Sequence, residues 1–251
     1  MEYNQFAYHY DALMSDVNYS DWVRKLAEYA FGQGQLLDVG CGTGKLSLLF
    51  RQAGFAVTGV DLSEDMLVVA KEAAEVMQAD VHFAQGDMRD LSAFSDIDIV
   101  TINVDALNYL LTADDVRLVF EQVHNALKPG GLFMFDVHAA YKLETHWQDY
   151  LYADASELLT YIWHAESYEE VDDEQHLFYE VQHDLTFFTR LENGAYKRHD
   201  EVHIQRTFHE EHYIEWLEVA GFDLVEMCGD FHGEVDETSE RIIFIARKAA
   251  S

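Results

Sequence analysis

Residues 36–44 read Leu36-Leu37-Asp38-Val39-Gly40-Cys41-Gly42-Thr43-Gly44, a short apolar run that ends at an acidic residue and passes into three alternate glycines. Beyond Lys45, the apolar residues Leu46, Leu49 and Phe50 recur at helical spacing, so the stretch reads as strand, glycine loop and helix. Glycine lacks a Cβ, which lets the backbone turn sharply and lets a ligand come close, while the first turn of the new helix offers unpaired N–H groups. A second apolar run, residues 56–60, ends at Asp61, 23 positions after Asp38. A carboxylate at that place can accept both hydroxyl protons of a ribose. The expectation is a ligand that carries adenosine.

Spacing separates the cofactor classes that use such loops. A dinucleotide site wants Gly-x-Gly-x-x-Gly, but here the third glycine comes one residue early and Lys45 stands in its place. A phosphate loop of the form Gly-x-x-x-x-Gly-Lys-Ser/Thr fails at two positions, with Val39 where the first glycine belongs and Leu46 where the magnesium-binding hydroxyl belongs. Asp38 also disfavours a pyrophosphate, because a carboxylate beside the loop repels it yet can hold a cationic group.

The loop resembles the signature Asp-x-Gly-x-Gly-x-Gly of the class I S-adenosylmethionine-dependent methyltransferases, and the resemblance spans roughly residues 31–140. Gln85-Gly86-Asp87-Met88, after the run 81–84, looks like the adenine-binding turn of that family. Asp98-Ile99-Val100 leading to Asn103 looks like its fourth strand, and Leu127-Lys128-Pro129-Gly130-Gly131 followed by residues 132–136 like its turn and fifth strand. The resemblance implies a doubly wound, Rossmann-like α/β sheet, mostly parallel with an antiparallel edge. It also implies S-adenosylmethionine as methyl donor, with Asp38, Gly40 and Gly42 on its amino-acid end, Asp61 on the ribose and Asp87 with Met88 on the adenine. Cys41, Leu62, Met66 and Asn103 belong to the same expected cofactor site. So does Tyr10, from a segment Tyr3-x-x-Phe6-Ala7-x-x-Tyr10-Asp11 that resembles the family's amino-terminal helix, with Tyr3 and Trp22 as further candidates.

Composition bounds the remainder. The chain has 251 residues, of which 49% are hydrophobic and 14% aromatic, with a single proline, which is the composition of a folded chain long enough to bury a substantial core. Its 16 Lys and Arg stand against 47 Asp and Glu for a formal net charge of −31, which repels phosphate backbones and disfavours nucleic acid as partner. Only Cys41 and Cys228 are present, the start of the chain has no signal-like pattern, and no apolar run reaches the length of a membrane span. These features point to the cytoplasm, and no metal is expected.

Apolar runs alternate with helical patterns to about residue 137, as in a parallel sheet with helices on both faces. The rhythm changes near residue 147. Stretches at about 158–168, 177–191 and 195–208 are rich in aromatic and β-branched residues and are separated by Asp172-Asp173-Glu174 and by Asn193-Gly194, which are hairpin signals. We therefore expect residues 1–146 and 209–251 to form the core, with residues 1–30 as a helical lid, and residues 147–208 to form an antiparallel sheet inserted after strand five. That sheet covers the acceptor site or forms a dimer surface, and both readings stand.

The methyl group of a sulfonium is already an activated electrophile, so few obligatory catalytic residues are expected. Asn103 and Asp105 follow the fourth strand and His138 the fifth, which makes His138 a candidate base and the other two candidates for facing the methyl group. The remaining histidines, among them His199, His203, His209 and His212, read as solvated or packed, and no Cys/His grouping has zinc spacing. The expected reaction is methyl transfer to a small-molecule acceptor. A tRNA or protein methyltransferase and a non-catalytic binding module on the same fold are the alternatives.

Overall fold

The computed structural model describes residues 7, 10, 11, 13, 14, 16–30, 32–155, 159–191 and 193–249, so Tyr3 and Phe6 lie outside the described residues. Helix α1 (Ser20–Ala27) precedes β1 (Gln35–Val39), α2 (Lys45–Gln52), β2 (Ala56–Asp61), α3 (Glu64–Met77), β3 (His82–Gln85), β4 (Ile97–Ile102), α4 (Ala113–Ala126) and β5 (Leu127–His138). After α5 (Ala140–His146) come β6 (Tyr150–Ala155), β7 (Leu159–Val171), β8 (Leu177–Arg190) and β9 (Tyr196–Phe208), then α6 (Glu210–Val219), β10 (Phe222–Gly229) and β11 (Arg241–Lys248). Among the described residues the main sheet has seven strands in the order β10-β11-β5-β4-β1-β2-β3. Strands β3, β2, β1, β4 and β5 are parallel, and β11 runs antiparallel to both β5 and β10.

Local chemistry starts the helices where the sequence pattern places them. The Ser63 hydroxyl accepts from the Met66 N–H at 3.3 Å to open α3, and Thr112 caps α4 by accepting from the Asp115 N–H at 3.1 Å, with Asp114 and Asp115 in the first turn favouring the helix dipole. Residues 128–131 form a bulge inside β5 and not a turn ahead of it, because β4 and β5 already pair at Ile97 and Leu127 before the register shifts to Ile99 and Leu132.

A second sheet, ordered β6-β7-β8-β9, is antiparallel throughout. The three long stretches of the sequence pattern become β7, β8 and β9, and β6 is an additional strand. Because β6 is an edge strand with mostly exposed residues, it has no buried face to imprint an alternation on its sequence. The Asp172 carboxylate closes the β7–β8 turn by accepting from the Glu174 and His176 N–H groups at 2.9 and 2.8 Å, and Gly194, at φ +82°, turns β8 into β9.

Both sheets join one core. Phe178 of β8 and Phe208 of β9 pack with Tyr213 and Trp216 of α6 and with Phe133, Phe135 and Phe244 of the main sheet. The Phe135 and Phe244 rings stack 4.7 Å apart at 5°, and both are fully buried. Two hydrogen bonds tie the inserted sheet to the strand ends: Thr207 Oγ1 donates to the His138 carbonyl at 2.7 Å and Asn108 Nδ2 to the Arg206 carbonyl at 2.8 Å. Replacing Phe135 with Ala removes the central ring of this stack and leaves a cavity, so urea unfolding is expected to show a loss of about 3–5 kcal/mol.

Candidate active site

The glycine loop closes against β2. The Gly40 and Cys41 N–H groups both donate to the Val60 carbonyl, at 2.7 and 3.0 Å, and Gly40, Gly42 and Gly44 all have positive φ. At Gly40 (φ +71°) a Cβ would stand 2.6 Å from the Ala106 side chain, so no larger residue fits. At Gly42 nothing lies within 4 Å of where a Cβ would be, which leaves an open cradle over the loop.

Asp38 is 2% exposed, and it accepts from Ser47 Oγ at 2.5 Å and from Thr101 Oγ1 at 3.0 Å. Burial pushes its pKa up to about 6, against those two hydrogen bonds. Asp61 accepts from the Gly42 N–H at 2.7 Å and the Ser63 N–H at 2.9 Å, so the carboxylate at the end of β2 is oriented by the loop it faces. Burial raises its pKa as well.

Asn103 is 3% exposed, lines the same pocket as Asp38 and Gly42, and neither its amide N–H2 nor its amide oxygen has a hydrogen-bond partner among the described residues. Buried polar atoms are ordinarily paired, so this amide has donor and acceptor capacity to spare at the pocket. Tyr10 lines the pocket from the amino-terminal segment, and Asp11 ties that segment down by accepting from Thr43 Oγ1 at 2.7 Å and pairing with Lys45 at 3.3 Å.

After Asn103 the chain takes two successive left-handed residues, Val104 (φ +55°) and Asp105 (φ +63°). A β-branched residue in that region is strained by about 1–3 kcal/mol. Asp136 of β5 holds it there by accepting from the Val104 N–H at 2.8 Å and the Asp105 N–H at 3.2 Å, while also accepting from Trp22 Nε1 at 2.6 Å. Arg241 bridges the carboxylates of Asp136 and Asp105. Burial would raise Asp105, but the Arg241 guanidinium outweighs it and holds the carboxyl well below its usual range, whereas burial leaves Asp136 raised.

A second pocket adjoins the first, with Tyr10 and Val104 on the wall of both. It encloses about 600 Å³ of empty space, mouth included, between the main sheet and the inner face of the inserted sheet, which contributes Trp163, His183, Leu185, His203 and Gln205. Tyr109, Trp147 and Asp105 complete its polar and aromatic lining.

These features can now be set beside known proteins. Residues 36–131 match the family described as a methyltransferase domain. A protein of Geobacillus sp. (strain WCH70) that is assigned to the methyltransferases is 43% identical over 99% of this chain and 100% of its own length. The chain belongs to the class I S-adenosylmethionine-dependent methyltransferases. The crystal structure of an S-adenosylmethionine-dependent methyltransferase from Clostridium acetobutylicum ATCC 824 superposes with a TM-score of 0.83 at 28% identity, covering 98% of this chain and 99% of that one. The S-adenosylmethionine-bound amino pentose methyltransferase CalS10 of Micromonospora echinaspora shares the fold, with a TM-score of 0.72 at 20% identity over 96% of each chain.

In this methyltransferase most of the sequence candidates gather around the first pocket. Asp38, Gly40, Cys41, Gly42, Asn103 and Tyr10 line it directly. Asp61 bonds the loop, and Met88 lies across Gly40, its Cε 3.7 Å from where a Cβ would be. Leu62 is 66% exposed beside β2, and Met66, like Tyr10 and Leu13, packs against the cluster of Leu185 and Phe187. The Asp87 carboxylate is engaged by Arg89, whose Nη2 lies 2.6 Å from Oδ2. Trp22 differs from expectation: it is buried and donates to Asp136, so it braces the loop without lining either pocket. Among the described residues no group of three or more His, Cys, Asp or Glu is arranged to hold a metal.

His138 is also displaced from its expected place at the pocket mouth. It is 2% exposed and sits behind the wall, edge-on to Trp147 at 4.7 Å, with Nδ1 3.2 Å from Asp105 Oδ1 and Nε2 3.2 Å from Gln205 Oε1. Burial drives its pKa well below the ordinary value, so the ring is neutral. The imidazoles on the wall belong to His183, which sequence reasoning did not single out, and to His203, which it read as solvated or packed. The overlooked signal was the alternation 199, 201, 203, 205 on β9, which gives His203 and Gln205 one common face.

Two outcomes follow. Asp38 is raised on folding, so its protonated form is favoured in the native state and its contribution is lost as pH rises through about 6. The stability advantage of Asp38→Asn over wild type, from urea midpoints without cofactor between pH 4.5 and 7.5, should therefore grow up to about pH 6 and then level, by on the order of 3 kcal/mol at most. Arg241→Gln leaves two buried carboxylates unneutralised and should cost about 3–5 kcal/mol in the same measurement at neutral pH, less in acid, where they protonate.

Proposed function

We propose that this enzyme transfers the methyl group of S-adenosylmethionine to a small-molecule acceptor held in the second pocket, releasing S-adenosylhomocysteine. The observation that carries the reading is Asn103: a buried amide without a partner among the described residues, set beside the open cradle at Gly42 and a few residues from the wall common to both pockets. When bound, the cofactor supplies an electrophilic methyl group on a sulfonium.

The chain's own residues divide the remaining work. Asp38 and Asn103 meet the amino-acid end, where a cationic amine would draw the Asp38 carboxyl back to its charged form. Asp61, already oriented by two N–H groups, accepts from the ribose hydroxyls. Met88 packs on the adenine, and Asp87 reaches its amine while sharing its charge with Arg89. Tyr10 closes over the donor, and the left-handed turn at Val104 and Asp105 separates donor from acceptor. Asp105 on the wall of the second pocket and His138 behind it act as positioning groups.

The inserted sheet roofs the second pocket, which supports an acceptor-covering role, and the net charge of −31 supports a small molecule over RNA. The amino pentose named for the neighbour CalS10 is a precedent for a small acceptor on this fold. Cys41 and Cys228 are both unpaired, which fits a reducing compartment such as the cytoplasm.

Calorimetry with S-adenosylhomocysteine tests the donor half: wild type should bind, and both Asp61→Ala and Asn103→Ala should weaken binding about 10-fold or more, Asn103→Ala with a urea midpoint close to wild type. A folded wild-type protein that binds neither S-adenosyl compound refutes the proposal.

A further inference from the structure

Two imidazoles face the second pocket from adjacent strands. His183 of β8 and His203 of β9 are directly paired in the antiparallel register, and Ala165 and Trp163 of β7 lie on the same inner face. Their bonding partners differ in kind. Trp163 Nε1 lies 3.0 Å from His183 Nδ1, whereas the Tyr109 hydroxyl lies 3.2 Å from His203 Nδ1.

An indole N–H only donates, so His183 Nδ1 must present its lone pair, and the proton of the neutral ring sits on Nε2. Burial lowers the His183 pKa to about 4, with a hydrogen bond to Gln205 as the leading opposing influence. The Nε2–H of His183 is therefore engaged by Gln205, and the ring has no lone pair left for an incoming proton. A tyrosine hydroxyl, by contrast, both donates and accepts. The Tyr109 oxygen can accept from an Nδ1–H of His203, the tautomer whose Nε2 carries the lone pair that takes an incoming proton, and burial of the phenol end keeps the Tyr109 hydroxyl protonated.

We propose that His203 takes the acceptor's proton during methyl transfer, that His183 is a tautomer-locked positioning ring that cannot take it, and that the acceptor is an uncharged ring compound bearing a phenolic or enolic hydroxyl. This rests on the methyltransferase reading above.

The pocket lining supports that chemistry. Tyr109, Trp147 and Trp163 offer ring faces. No Lys or Arg lines the pocket among the described residues, so a carboxylate or phosphate acceptor has no counter-ion there. An ammonium acceptor would have only Asp105, whose carboxylate already faces Arg241 and His138. A neutral hydroxyl remains, and with a pKa near ~10 for a phenol it must lose its proton to become a competent nucleophile. As the acceptor oxygen bonds to the methyl carbon, the carbon–sulfur bond breaks with its electron pair left on sulfur, and the hydroxyl proton passes to His203, which returns it to solvent.

The groups around His203 are consistent with one proton at a time on the pair. Glu201, on its own strand, favours the charged ring, and Glu201 is itself bonded by His199 at 2.5 Å. Across from it stand His183 on β8 and Tyr109 and Asp105 after β4, with Lys142 of α5 and the His203 charge both opposing protonation of His183.

Long-range proton–nitrogen correlation spectra of the imidazoles, recorded on the full chain saturated with S-adenosylhomocysteine from about pH 5 to 8, test the division of roles without any acceptor. His183 should show a single neutral tautomer with hydrogen on Nε2 throughout, lost to a mixture in Trp163→Phe, while His203 titrates. For activity the probes are catechol, 4-nitrophenol (largely ionised at pH 8, where the assays are run) and benzylamine, read by S-adenosylhomocysteine release. His203→Asn should lower kcat for catechol about 100-fold or more with little change in KM, and should spare 4-nitrophenol, which needs no base. A His183 that titrates or carries its hydrogen on Nδ1, equal losses on catechol and 4-nitrophenol, or wild-type turnover of benzylamine in preference to catechol would each overturn the assignment. Each of these with S-adenosylhomocysteine binding intact leaves the methyltransferase reading standing, whereas loss of that binding in wild type removes both.

Discussion

The site depends on one buried ion cluster. Asp136 is fully buried on β5 and uses both oxygens to hold the backbone of Val104 and Asp105 in left-handed geometry, while Arg241 from β11 neutralises it and Asp105 together. Two carboxylates this close cannot both be charged in a low-dielectric interior without a cation between them, so Arg241 is what permits the turn. The turn in turn presents Asn103 to one pocket and Asp105 to the other. The two pockets thereby lie on two sides of a single strained peptide segment.

The cluster also explains why a strand pair far along the chain matters to a site built mainly from the first half. Arg241 opens β11, which pairs with β5 so that Arg241 stands opposite His138. Antiparallel pairing brings the start of β11 to the carboxyl end of β5, the end at which ligands gather in an open α/β sheet. Trp22 of α1 braces the same carboxylate, which links the amino-terminal helix to the loop by a buried hydrogen bond.

The inserted sheet acts through its period of two. Alternate residues of β7, β8 and β9 face inward, and the cross-strand register places His183 opposite His203 and beside Trp163. The same alternation puts Gln205 within reach of His138, so the imidazole that ends β5 and that of His183 on the roof share one amide. Burial keeps these rings neutral, which is the state in which an imidazole can exchange a proton.

Much of the cofactor side was legible in the chain because its determinants are local. The alternate glycines after Asp38 require positive φ, Asp61 ends the next strand, and Ser63 caps the helix that follows, each within a few residues of the others. Those features, with the order of the later motifs, were sufficient to assign the family and the sheet, and Asn193-Gly194 was sufficient to place a hairpin. The acceptor side was not legible in this way. His138 follows a strand end just as a ligand-facing residue would, but Trp147 and Gln205 arrive from other elements and cover it, and His203 looks like any polar residue on an edge strand until β8 and Tyr109 are packed beside it. What an amino-acid sequence determines directly is backbone conformation and periodicity. Which imidazole has a lone pair to offer was decided only by contacts between residues 20 and 94 positions apart, because a hydrogen-bond partner sets a tautomer and only the folded chain supplies the partner.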